Sequence, residues 1–554
     1  MKKIVISIVI ATFVFISCKT TKESKIKEIA TLTERVDAVV KKYEALDIFS
    51  GIVLIAENGN EKYHKAFGLA NRTSKERNTI TTKFDIGSMN KAFTKTVILQ
   101  LLEEGKLSLE DDITKFIPDY PTNGKKITVH HLLTHTSGIK SYTSMQEFGK
   151  VMTLDKSPLK FIDFFKKEPM DFNPGEKYKY NNSGYFILGY IIEKVSGLSY
   201  PKFLQERIFD KIDMKNSYFG SHTKLIKNRA SGYQKREEFS NAQYISLTLP
   251  YAAGSVMSTV DDMLKWQTAI TRDVFVKEAT IDKAFTNYTL NNGDKINYGY
   301  GWSLNEISDI ATIEHGGAIP GYLSMGVFVP SKNVYVILFS NCGCKSPTDA
   351  ALEIAALAID KPRVTEDNMV KLTNEQLNKW VGTYKFTDDA LRYITLKDGH
   401  LYSQRKGSSQ EFKIYPTSPN TFSFKEGFIS YDFSLEEDKK IVLFKNRIHK
   451  FKGVFIDEKA PKVKDVITIA EDVLKKYDGA YELQPGFVIT VTSKGNQLFA
   501  QATGQPEFEL FAETETTFYL KVVKASVEFH KNDEGIVNSL TLNQGGRAMK
   551  ATKK

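Results

Sequence analysis

Two stretches in the last third of the chain repeat each other, and this constrains the fold more than any other feature. Trp380-Val381-Gly382-Thr383-Tyr384 is echoed by Tyr477-Asp478-Gly479-Ala480-Tyr481 at an offset of 97 residues, and Glu411-Phe412 and Phe422 by Glu507-Phe508 and Phe518 at 96. Such a duplication means one structural unit built twice, here with one indel between the copies. Strand-like alternation and turn glycines make each copy a small antiparallel β barrel or sandwich, over residues 375–457 and 473–554. A polar linker near 361–373 sets them apart from what precedes. With 554 residues in all, the chain divides into two or three domains, each able to bury its own core.

The N-terminus reads as a targeting segment. Met1-Lys2-Lys3, an apolar run from Ile4 to Ile16 and Ser17 form a secretory leader over residues 1–17, too short to span a bilayer comfortably. Its ending, Phe15-Ile16-Ser17-Cys18, resembles a bacterial lipobox, which implies cleavage and lipid attachment at Cys18. Residues 19–30 are polar and Lys-rich, as a tether would be. The resulting expectation is an exported, membrane-anchored lipoprotein of the bacterial cell envelope. No later segment is apolar for long enough to cross a bilayer. The net charge of +10 is spread without dense Lys/Arg blocks, which argues against a nucleic-acid partner.

Residues 31–360 form the largest unit. Leu32, Val36, Val39, Val40 and Tyr43 give a helix, and Gly51–Glu57 with Glu61–Gly68 a hairpin around Asn58-Gly59-Asn60. A second helical face, Ala92 to Leu102, stops at Gly105. The middle is mainly helical and loop-rich to about residue 290. Strand-like segments then return at Ala311–Glu314, Gly321–Val329 and Val334–Phe339, followed by a helix at 347–359. Cys342 and Cys344 are expected as structural or free thiols, because a disulfide across Gly343 would strain the usual Cα separation. His130, His131 and His135 lie in an apolar stretch without zinc-ligand spacing and are read as structural. No metal or organic cofactor is expected.

Three elements carry the chemistry. A serine followed three residues later by lysine presents both side chains on one helical face, so that the amine can take the hydroxyl proton. The chain holds seven Ser-x-x-Lys tetrads, so context must choose. Ser88-Met89-Asn90-Lys91 alone opens a long apolar-faced helix after strand-like sequence, where the helix start favours negative charge on a serine adduct. Tyr180-Asn181-Asn182, the only Tyr-x-Asn among 26 tyrosines, offers a second potential base and a substrate-gripping amide. His315-Gly316-Gly317-Ala318 offers small residues that let a substrate backbone approach a strand.

In this order and spacing the elements resemble the penicillin-recognising serine hydrolases, the class C β-lactamase and D-alanyl-D-alanine carboxypeptidase superfamily. Leu132-Leu133-Thr134-His135-Thr136-Ser137-Gly138 and Asn182-Ser183-Gly184-Tyr185 support the likeness. It implies an α/β (α+β) fold, an antiparallel sheet flanked by helices plus a mainly helical subdomain, and the second β repeat resembles lipocalin-like domains appended to this family. It also implies a covalent acyl-enzyme on Ser88, with Lys91 or Tyr180 as base. Asn182 would hold the substrate amide, His315 would orient the Tyr180 pair or meet a substrate carboxylate, and the Ser88 and Ala318 N–H groups would form an oxyanion hole beside Gly317. Lys-Thr-Gly, the third β-lactamase element, is absent. Histidine in its place resembles the carboxypeptidase, aminopeptidase and esterase branches. Substrates are expected to be D-amino-acid peptides of peptidoglycan type, or small esters. The alternative is a catalytically silent envelope protein that binds wall fragments with the same pocket and β modules.

Overall fold

The computed structural model describes residues 30–221, 225–408, 410–458, 467–520, 522–523 and 525–554. The expected leader, the expected lipidation site at Cys18 and nearly all of the expected tether lie outside them. Among the described residues no helix is long and apolar enough to cross a membrane.

Six antiparallel strands make the main sheet: β1 (Gly51–Glu57), β2 (Asn60–Phe67), β3 (Ser303–Ile307), β4 (Ile310–Ile319), β5 (Tyr322–Val329) and β6 (Val334–Ser340), in the order β3-β4-β5-β6-β1-β2. The N-terminal hairpin therefore joins the late strands through β1 and β6. Residues of β1 alternate between two cores. Ile52 and Leu54 face the helical subdomain, whereas Val53 and Ile55 face helices Leu32–Ala45 and Thr348–Ala358. With both faces covered, the strands read as nearly continuous apolar runs. One difference from the sequence reading is that β4 runs straight through His315-Gly316-Gly317 to Ile319. Those glycines are strand residues selected by close packing, as described below.

Each C-terminal repeat closes into its own eight-stranded barrel. The repeated residues occupy equivalent places. The Tyr384 hydroxyl donates to the Trp380 carbonyl at 2.9 Å, and Tyr481 to Tyr477 at 2.7 Å. Trp380 stacks on Phe433 as Tyr477 does on Phe529. Gly382 and Gly479 sit at φ +151° and +148°, where a side chain would meet Phe455 or Lys553. The signature Gly-x-Tyr is thus the fold's own start signal.

The first barrel is fastened to the sheet. The Glu306 N–H donates to the Arg447 carbonyl at 2.9 Å. The Arg447 guanidinium reaches the Glu306 carbonyl and the Glu314 carboxylate, and Lys445 and Lys450 both pair with Asp309. Glu314 is buried and also accepts from Thr312 and Asn305. Cys342 and Cys344 are joined as a disulfide, contrary to expectation. The turn at Gly343, whose N–H donates to the Tyr233 carbonyl, brings the Cα atoms to 5.1 Å, inside the usual range.

Candidate active site

Ser88 lies in a single 3-10 turn, Gly87–Met89, between strand Phe84–Asp85 and helix Asn90–Glu103. Gly87 has φ +53°, and a Cβ there would come within 2.8 Å of the Ala318 nitrogen. A Cβ on Gly317 would collide with the Ile86 carbonyl, which Ser324 Oγ also binds at 2.9 Å. The serine turn and β4 therefore touch backbone to backbone, a contact that needs glycine on both sides.

Lys91 is completely buried. Its Nζ lies 3.0 Å from Ser88 Oγ, 2.8 Å from Asn182 Oδ1 and 2.8 Å from the Ala253 carbonyl. Burial pushes its pKa well below the ordinary lysine value. A neutral amine has two N–H bonds and one lone pair. The amide and carbonyl oxygens can only accept, so they take both N–H bonds and leave the lone pair facing the serine hydroxyl. None of the other described tetrads does this: Lys140 pairs with Asp171 and Lys406 with Glu458. Asn90, inside the tetrad, fixes the carbonyl side of the cradle. Its amide donates to Ala252 and Tyr200 and accepts from the Val256 N–H.

Tyr180 is 37% exposed as a residue, yet burial raises its phenol pKa far above the usual value, and a hydrogen bond with Ser88 offsets only part of this. Asn182 donates its amide N–H to Thr143 at 3.3 Å while its oxygen holds Lys91. Asn181 caps helix Asn182–Ser196 by accepting from the Gly184 N–H.

His315 is reached through a chain of hydrogen bonds with one consistent direction. The Asn181 N–H donates to His135 Nδ1 at 3.0 Å, which places the His135 proton on Nε2. That nitrogen donates to Tyr298 at 3.2 Å, Tyr298 donates to His315 Nε2 at 3.3 Å, and His315 Nδ1 donates to the Gly316 carbonyl at 2.6 Å. Both rings are neutral in this arrangement. Burial, and any charge that Lys91 carries, push His315 down to about 3 and His135 well below its usual value. His315 therefore carries no cation at neutral pH, and its ring centre lies 6.1 Å from that of Tyr180 without a direct bond. His315 is instead linked to the Asn181 N–H, next to Tyr180, through Tyr298 and His135.

The structure thus brings Ser88, Lys91, Tyr180, Asn182, His315, Gly317 and Ala318 together. Sequence reasoning passed over Asn90, His135, Tyr298 and the Ala253 carbonyl. His135 sits at φ +60° directly before Thr136-Ser137-Gly138, and that turn was the available signal. His130 and His131 are structural as expected, the first bonded to Tyr300 and the second capping its own helix at Thr128.

A serine whose hydroxyl faces a dehydrated lysine, beside a tyrosine and a glycine-bearing strand, defines a serine hydrolase. Residues 36–360 match the family model described as Beta-lactamase, and the chain belongs to that family. A second model, a domain of unknown function (DUF3471), matches residues 463–553, the second barrel. The chain is similar to penicillin-binding protein 4* of Bacillus subtilis, 29% identical over 452 residues that cover 77% of this chain and 98% of that protein. It is 30% identical to a teichoic acid D-alanine hydrolase of Staphylococcus aureus over 45% of this chain and 60% of the relative. Among solved structures, the octameric penicillin-binding protein homologue from Pyrococcus abyssi superposes with TM-score 0.53 and 26% identity, over 76% of this chain and 99% of its own.

Proposed function

We propose that the protein is an exported hydrolase that removes D-amino acids, D-alanine above all, from cell-wall peptides or esters through an acyl-enzyme on Ser88. The observation that carries this reading is the Lys91 cradle, in which two oxygens fix both N–H bonds and direct the lone pair at Ser88 Oγ. Lys91 is the general base. Tyr180, with its pKa raised, keeps its proton and donates it to the leaving group. In the acylation step the serine oxygen bonds to the substrate carbonyl carbon, the serine proton moves to Lys91, and the leaving alcohol or amine departs with a proton from Tyr180. Lys91 then restores the tyrosine proton. Attack by water on the ester reverses the sequence and frees Ser88.

The backbone contact of Gly87 with Ala318 favours an oxyanion hole built from the Ser88 and Ala318 N–H groups. A neutral His315 in place of a Lys-Thr-Gly lysine disfavours efficient β-lactam turnover. The D-alanine assignment is supported by the substrate named for the S. aureus relative, and the envelope location by the leader and the Cys18 lipobox. Intact-protein mass spectrometry tests the reading. Fluorophosphonate should add one label that disappears in Ser88→Ala, and D-alanyl esters or D-alanyl-D-alanine peptides should release D-alanine. A label that persists in Ser88→Ala would overturn the nucleophile assignment.

A further inference from the structure

None of the groups around Ser88 is shared with a second cluster at the free edge of the main sheet. Residues 61 and 64 of β2 would face opposite ways in a regular strand. Here the register slips: Tyr63 lies opposite Ile55 and Glu61 opposite Ala56, leaving Lys62 as the extra residue of a bulge. The bulge turns Glu61 onto the face that carries His64. Helix Val260–Ile270 packs on that face and contributes Asp261 from its first turn.

The three side chains converge. His64 Nδ1 lies 3.3 Å from Glu61 Oε2 and 3.6 Å from Asp261 Oδ1, and the three atoms are all within 4.8 Å of one another. Donors bound at about 2.0–2.2 Å around a tetrahedral ion stand roughly 3.3–3.5 Å apart, so the two short edges already match a metal centre. Only 8% of the His64 side chain is exposed. Asp261 Oδ1 is buried and has no hydrogen-bond partner among the described residues, although it points at the ring. Two carboxylates therefore converge on one imidazole. Lys265 is committed to Asp262 and the Asp213 carbonyl, and Lys62 to Glu57.

We propose that Glu61, His64 and Asp261 bind one divalent first-row metal ion, Zn²⁺ in preference to Mn²⁺ by the general order of affinities. His64 Nδ1 supplies nitrogen, the carboxylates supply oxygen and charge, and the remaining coordination faces an adjoining hollow of about 480 Å³ edged by Thr268, Lys265 and Arg272. Bound there, the ion ties the bulged edge strand to the helix. Sequence spacing conceals this site, since Asp261 lies about two hundred residues from its partners.

The experiment is zinc titration of tag-free, metal-stripped protein by calorimetry, with metal content read by mass spectrometry and Tm by circular dichroism. One Zn²⁺ per chain is expected, with a Tm that rises on binding. Glu61→Gln, at a half-exposed position that does not threaten folding, should weaken affinity at least tenfold, and His64→Gln should abolish both uptake and the Tm rise. Absence of saturable uptake would overturn the proposal. So would unchanged uptake in both variants, or selective binding of Ca²⁺ over Zn²⁺. Ser88→Ala should bind zinc as the parent does, which keeps this outcome separate from that of the hydrolase reading.

Discussion

Lys91 and Lys95 stand one helical turn apart, both stripped of water, and their surroundings give them opposite fates. Lys91 has three oxygen neighbours, whereas Lys95 Nζ has no hydrogen-bond partner among the described residues and rests between the rings of Phe285 and Trp302. For Lys91 the consequence is kinetic. Its base form exists above its lowered pKa, so acylation should fall as pH drops through that value. Lys91→Met should reduce kcat by about 10²–10⁴-fold with little change in KM, measured by stopped-flow acylation. For Lys95 the consequence is stability. Burial pushes its pKa to about 7, against an unfolded value near 10.5. Between these limits the unfolded chain holds the extra proton, so this group's penalty shrinks as pH rises toward 10.5. Lys95→Met should therefore raise stability at pH 7 by a few kcal/mol and by much less near pH 10, as urea unfolding at the two pH values would show. An unchanged difference between those pH values would contradict this account. The tetrad was legible in the sequence because Ser-x-x-Lys at a helix start is a pattern. The Ala253 carbonyl was not, since any residue supplies a carbonyl and only the fold, held here by Asn90, decides which one arrives.

Elements matter here chiefly where they touch. The serine turn can lie against β4 only because residues 87 and 317 lack side chains. Gly317→Ala should push β4 away from Ile86, abolish labelling of Ser88 and lower Tm by several degrees, readable by fluorophosphonate gel and thermal melt. The cap at Asn181 is a milder case. Asn181→Ala removes the acceptor for Gly184 and should cost about 0.5–2 kcal/mol in urea unfolding. Periodicity foretold the helices at Leu32–Ala45, Asn90–Glu103 and Thr348–Ala358 and the strands β1, β2, β5 and β6 to within a few residues, and left the mid-chain helices and the barrel strands unplaced. It missed the passage of β4 through His315-Gly316-Gly317, because glycine pairs ordinarily mark turns and the reason for them lies in another segment of chain. The relay from His135 through Tyr298 escaped notice for the same reason, as its members come from three separate regions.

At the scale of the whole molecule, the first barrel reaches into the hydrolase through Arg447. Glu314, which this arginine neutralises, directly precedes His315 in β4. Arg447→Met would strand a buried carboxylate at a cost of about 3–5 kcal/mol. It should also slow acylation of Ser88, measured as labelling rate at a temperature where circular dichroism still reports a folded chain. A normal rate in a destabilised protein would mean that the barrel only anchors. The duplication announced the two barrels plainly, while nothing in the sequence announced the fastening, which depends on one hairpin loop meeting one edge strand. Both barrels share a property with a wider reach. Every strand in them has a hydrogen-bonded neighbour on each side, so the structure of one copy is finished without the other. A gene that duplicates such a unit adds no raw edge for neighbouring chains to seize. Lineages can therefore gain or shed the second copy in one genetic step, whereas loss of the first would also leave Glu314 without its arginine.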